Sequence, residues 1–284
     1  MNPSIRIALV LASFTFAHGC SPQASLDSPA GTVAVGIDFL ESNNVKGFVE
    51  TLVTDAQYRE LATEWTEVTR TEATPEQVTE WRTTMKKLTG PGAEAKMMAE
   101  ITPQLEAMRP QWEMMVGFFS GMAEAGLDQS AGLSDKERKQ AKKAIESLVA
   151  WTAENDVTSI DKAREAVAAI CKTARRLDLP EYSDLQAMHL DEALIASQTL
   201  LDGVKDVLDV YGVSVNDMLG TVDVDTLNET ADWALLEISF QFLGSEQSFE
   251  TEMVRHDGRW VSKAVQERES LLPTSVAGMS PTSF

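Results

Sequence analysis

The residues of this chain that could do chemistry are few, and their spacing is the first thing to weigh. His189 and Glu192 fall at i and i+3 of a helical pattern, where an imidazole and a carboxylate can meet one metal ion. Asp184, five residues earlier, points well around that helix and makes a poor third ligand. The competing reading, adopted here, is a solvated face in a chain rich in carboxylates. His256 adjoins the Asp257-Gly258 turn, where a polar residue is expected in any case. Cys171 lies in EAVAAICKTA, a helical pattern that makes it a small buried apolar residue rather than a reactive thiol. The phosphate-loop, dinucleotide, H-E-x-x-H, C-x-x-C and G-x-S-x-G signatures are missing. No metal, no cofactor and no catalytic residue is therefore assigned, and a binding or scaffold role is expected over an enzymatic one.

Methionine is the more telling residue type. Six of the 12 fall between Met97 and Met122, and Trp112, Met115, Phe119 and Met122 share one face of a helix. Thioether-rich surfaces can line an apolar pocket or receive a partner helix. The same spacing marks any helix that faces a core. Core is the expectation, with these four residues as the candidate apolar ligand or partner surface. Lys136, Arg138, Lys139, Lys142 and Lys143 form the one basic concentration. It is expected on the wet side of a helix beside Glu137 and Glu146, with phosphate groups or an acidic partner as the alternative.

The elements that must position these residues divide into two kinds. From Ser28 to about Gly212 the pattern is helical. Val33, Ile37, Leu40 and Val49 form a stripe interrupted at Ser42-Asn43-Asn44, and Thr54, Thr74-Pro75, Ser159 and Ser183 are expected helix starts. Pro91, Pro103 and Pro110 are expected to break the middle into shorter helices. Ser134-Asp135-Lys136-Glu137 reads as a capping box. The helix from Asp184 should be the longest and end near Tyr211-Gly212. After Gly220 the period becomes two. Ala234, Leu236, Ile238, Phe240 and Phe242 line one face of a strand, and Asp257-Gly258 turns a hairpin into Arg259-Trp260-Val261. The fold class is α+β: a mainly helical first two-thirds, then a four-stranded antiparallel meander. The divisions read are 1–19, a signal; 20–27, a flexible tether; 28–180, helical; 181–270, a long helix with the meander; and 271–284, a loose tail.

The first 19 residues, MNPSIRIALVLASFTFAHG, place Arg6 before an apolar run from Ile7 to Ala17, followed by small residues. This is the layout of a secretory signal, too short to span a bilayer. Ala17-His18-Gly19-Cys20 then resembles the lipobox of bacterial lipoproteins, with Ala17 where that family more often has Leu. The resemblance implies that the Cys20 thiol takes a diacylglycerol, that the chain is cut before it, and that the new amine is acylated. Three acyl chains, at roughly 0.8 kcal/mol per buried CH₂, would hold the protein on a membrane permanently. Ser21, in place of an inner-membrane Asp signal, points to the periplasmic face of the outer membrane in a Gram-negative cell. The alternative is an ordinary signal cut after Gly19 and a diffusible periplasmic protein. The net charge is −20, and loss of Arg6 with the signal makes it −21. So acidic a chain is not expected to bind nucleic acid, and an envelope protein is its expected partner besides the membrane.

The stretches SPAGTVAVGIDFLESNNVKGFVETL and FETEMVRHDGRWV together resemble the start and end of the nuclear-transport-factor-like cone fold, the SnoaL and ketosteroid-isomerase-like superfamily. That fold hosts isomerases, dehydratases and inert binding modules. The resemblance implies a second reading: an acid–base enzyme, or a carrier of a small apolar ligand, with a cavity walled by Phe240, Phe242 or Trp260. Asp232, Glu237 and Tyr211 would be the groups to consider inside it.

Overall fold

Helix starts in this chain are written by its hydroxyl and amide side chains. A computed structural model describes residues 25–129 and 134–267; Cys20, the tail 271–284 and the Glu137 side chain lie outside what it describes. Ser28 opens α1 (Pro29–Glu41), its Oγ accepting from the Gly31 N–H, and Asn44 does the same for α2 (Val45–Leu52) through the Gly47 N–H. Thr54 and Thr74 form full capping boxes with Gln57 and Gln77 ahead of α3 (Asp55–Arg70) and α4 (Pro75–Thr89). There follow α5 (Ala93–Met108), a short tight turn at Arg109–Gln111, α6 (Trp112–Gln129), α7 (Asp135–Glu154), and α8 (Ile160–Leu177), capped by Ser159. The last helices before the sheet are α9 (Tyr182–Ala187), α10 (Leu190–Val210) and α11 (Val215–Leu219).

Three expectations about the helices are corrected. Pro103 lies inside α5 and does not end it. Beyond the proline, Leu105 packs on the same cluster as Ala93 and Met98, against Ala163, Val167 and Cys171 of α8, and continuing the helix keeps it there. Ser183 is not a cap; Glu181 precedes α9, and its backbone N–H is taken by Asp184 Oδ2. The long helix does not run from Asp184. The chain straightens at Met188-His189, and α10 begins at Leu190, still the longest helix at 21 residues.

The sheet is the antiparallel meander expected: β1 (Asp223–Glu229), β2 (Trp233–Phe242), β3 (Ser245–His256) and β4 (Arg259–Ser262), in that order across the sheet. A final turn of helix, α12 (Lys263–Gln266), follows. Asp257 and Gly258 both take positive φ, as a two-residue hairpin of this hand requires. The inner face packs Ala234, Leu236, Ile238 and Met253 with Trp260 beneath Ala30 of α1. β4 pairs with β3 only over Met253–His256, so the first part of β3 has β2 on one side and no strand among the described residues on the other. The structure is thus α+β, a helical assembly closed by a four-stranded antiparallel sheet.

Candidate functional site

The concave feature best enclosed by apolar side chains is a pocket of about 380 Å³ between the α1–α2 hairpin, α11 and the inner face of the sheet. Its size is that of a small-molecule site. On α1, Val33, Gly36, Ile37 and Leu40 recur at helical spacing and turn one stripe to it. α2 adds Phe48, Thr51 and Leu52; α11 adds Met218 and Leu219; the sheet adds Ile238, Phe240, Phe249 and Met253. The two helices of the hairpin can approach closely because two positions are glycine. A Cβ on Gly47 would lie 2.8 Å from the Phe39 ring, and one on Gly36 would touch Thr51 and Phe48.

The polar side chains of the wall are Thr32, Thr51, Thr251 and Ser262. Thr32 Oγ1 donates to Ser28 O at 3.0 Å and Thr51 Oγ1 donates to Phe48 O at 2.7 Å, so both hydroxyl protons are engaged within their own helices. Among the described residues, no titratable side chain lines the pocket. The site therefore offers shape and apolar contact, with no group placed to move a proton.

Behind the pocket, α1 is held at its carboxyl end by a buried cation. Lys205 of α10, 6 % exposed, donates to Leu40 O at 2.6 Å and Glu41 O at 3.3 Å, which satisfies carbonyls that a helix end leaves open. Burial pushes its pKa down. Sequence reasoning missed this residue, though a signal was present: Lys205 stands in phase with Leu201 and Leu208, on the buried stripe of α10.

A second, more open trough of about 450 Å³ adjoins the pocket on the side of α7. Gln140, Ala141 and Ala144 of α7 face Phe242, Gln247 and Ser248 across it, and Met218, Phe240 and Phe249 line both spaces. A third hollow, of about 550 Å³, is polar: Glu50, Asp55, Tyr58, Arg59 and Arg259 surround it. There Arg259 donates to Asp55 Oδ1 at 2.8 Å and Glu50 O at 2.7 Å. Tyr58 donates its hydroxyl to Asp191 on α10; burial first, and that bond second, push the phenol up to about 12.

The residues picked out by sequence are scattered. Trp112 and Met115 are half-buried, while Phe119 and Met122 are 59 % and 57 % exposed, and no residue of α6 is buried; the expectation of a core-facing helix is corrected. The face is continuous with exposed Met114 and Phe118 and lies away from the apolar pocket. His189 ends as the residue before α10, and Glu192 Oε2 accepts its backbone N–H at 2.9 Å, so that carboxylate serves the helix start. Among the described residues no three of His, Cys, Asp and Glu gather as metal ligands. His256 is exposed beside Asp257. Cys171 is fully buried, 3.7 Å from Met97 Sδ, and burial raises its thiol pKa.

The basic run on α7 also finds other partners than those expected. Lys136 bonds Glu237 and Glu250 at 2.9 and 2.8 Å, Lys142 bonds Asp128 at 2.7 Å, and Lys143 donates to Glu246 O at 2.9 Å. These contacts lay α7 along the open part of β3. They also remove Glu237 from candidacy, since it points to α7 and away from the pocket. Asp232 is exposed in the β1–β2 turn, and Tyr211, at the end of α10, has Lys162 5.9 Å above its ring. Comparisons with protein-family models, with curated proteins and with solved structures find no match.

Proposed function

We propose that this chain is a lipid-anchored, non-enzymatic binding protein of the periplasm, tethered through Cys20 to the inner face of the outer membrane, and that its pocket takes a small apolar molecule. The observation that carries the binding half is the character of the wall: apolar side chains from five elements and Val222, four hydroxyls and, among the described residues, no carboxylate, imidazole or amine. An acid–base enzyme on this scaffold would need a proton-transfer group in the cavity, and Asp232, Glu237 and Tyr211 all stand elsewhere. The lipobox residues Ala17-His18-Gly19-Cys20 carry the anchoring half.

Each half has its own test. N-phenylnaphthylamine, a neutral fluorophore that brightens in apolar sites, is titrated into the protein. Brightening should be retained in Phe118→Glu, on the exposed face of α6, and fall at least about tenfold in affinity in Ile37→Trp, which fills the pocket. The reverse pattern would put the apolar site on α6 and refute this reading. For the anchor, intact mass from native membranes should match cleavage before Cys20 plus three acyl chains. A Cys20→Ala variant should lose that mass; an unmodified, freely soluble wild-type chain would sink the anchor.

A further inference from the structure

The pocket and the trough beneath α7 share a wall that is one layer of side chains thick. Met218, Phe240 and Phe249 line both. The two rings meet edge to face, 6.4 Å between centroids, and Phe249 is 48 % exposed on a stretch of β3 that pairs with β2 on one side and with no strand among the described residues on the other. The methionine end is adaptable, and the exposed ring has open space on one side.

The trough is no more polar than the pocket. Gln140 Nε2 donates to Ser248 Oγ at 2.8 Å and Gln247 Nε2 donates to Ser245 Oγ at 2.7 Å, so these amides are turned to their own partners and leave their stems toward the space. With Ala141, Ala144 and Phe242 the result is an apolar trough on the far side of that wall from the pocket. A compact molecule would have no use for the second space. A flexible chain would fill both.

Resting on the binding reading above, we propose that the ligand is a linear acyl chain. Its terminal methyl end occupies the pocket between α1, α2 and the sheet. Its middle passes between Phe249 and Met218, and its polar head stays at the open end of the trough beyond α7. The position of the amino terminus agrees with this. Thr32 lines the pocket one turn from Ser28, where the tether meets α1. Eight residue-to-residue steps lead from Cys20 to Ser28, a reach of at most about 28 Å, so an anchored chain would hold the pocket close to a bilayer that contains such acyl chains.

The test displaces N-phenylnaphthylamine from the Cys20→Ala chain, which carries no acyl group of its own. Straight-chain carboxylates from octanoate to hexadecanoate, the matching alcohols, adamantanol as a compact cage, and vesicles of a diacyl phospholipid are compared. Affinity should rise about fourfold per added methylene and keep rising past the length the pocket alone can hold. Phe249→Trp and, separately, Met218→Phe thicken the wall. Each should stop the rise at a shorter chain than in the wild type, and a urea-unfolding midpoint matching the wild type shows that the variant is folded. Displacement by free chains but not vesicles would mark a free fatty acid or alcohol as the source, and displacement by both a membrane lipid; either supports the inference. A rise that stops at the same short length in the wild type, or adamantanol outcompeting every straight chain, would overturn it and leave the binding reading standing. No fluorophore binding at all would overturn both.

Discussion

Helices α6 and α8 have the same length, 18 residues, and opposite fates. By content α6 is the greasier, WEMMVGFFSGMAEAGLDQ against IDKAREAVAAICKTARRL. Yet α8 buries Ala163, Ala166, Val167, Cys171, Thr173 and Ala174, while α6 buries nothing. In α8 the apolar residues hold to one stripe and the charged ones fall off it. In α6 the Met, Phe, Trp and Val side chains spread over more than half of the circumference, and Gly117, Gly121 and Gly126 leave gaps with nothing near them. Burial follows the phase of apolar residues around a helix, not their number.

That contrast can be broken most directly by putting one charge on each helix. Val167→Asp, in a core position 4 % exposed, should cost about 3 kcal/mol or more in urea unfolding. Phe118→Asp, 62 % exposed on α6, should change stability by less than about 0.5 kcal/mol. Equal costs would mean that α6 is covered by something in solution.

A smaller effect sharpens why α8 packs so closely on α10. A Cβ on Gly203 would lie 2.2 Å from Thr173 Oγ1, so Gly203→Ala should cost about 1–3 kcal/mol. Thr173 Oγ1 is buried without a hydrogen-bond partner among the described residues. Thr173→Ala should therefore cost little alone and restore most of the loss in the double variant, as a thermodynamic cycle would read.

The smallest effect concerns a polar joint, for contrast with α8's apolar one. Tyr58 on α3 is pinned to Asp191 on α10, and its phenol is held up at about 12 against an ordinary 10. The folded state thus keeps a proton that the unfolded chain releases earlier. Its contribution to stability is whole below pH 10 and drains away between pH 10 and about 12. Ultraviolet titration should show one of the three tyrosines ionising near 12, and Tyr58→Phe should flatten the fall of stability in that window.

Much of the fold was legible before any coordinates. Caps at Ser28, Thr54, Thr74 and Ser159, the period-two run from Ala234, and the Asp257-Gly258 hairpin are local signals, and local signals read well. The break before α10 was hidden because Met188-His189 contains neither glycine nor proline, and because the carboxylate that secures it looked like half of a metal site. The pocket was hidden for a different reason. Its walls come from residues 32–52, 218–222 and 238–262, and no stretch of chain announces a space that only distant stretches enclose. Lys205 lay between the two cases, visible as a charge in a buried phase but without a partner until Leu40 was brought to it.

The half-paired strand β3 has one more consequence. From Ser245 to Glu252 its outer edge has no strand among the described residues, and an uncovered edge of that length is a template on which a second molecule can add a strand of its own. Here α7 lies alongside, with Lys143 occupying the Glu246 carbonyl, and Glu246, Glu250 and Glu252 space like charges along the strand. The arm of α6 and α7 is then a guard against fibre growth, and a chain shortened to remove it should form insoluble, strand-rich aggregates even where the rest of the sheet folds.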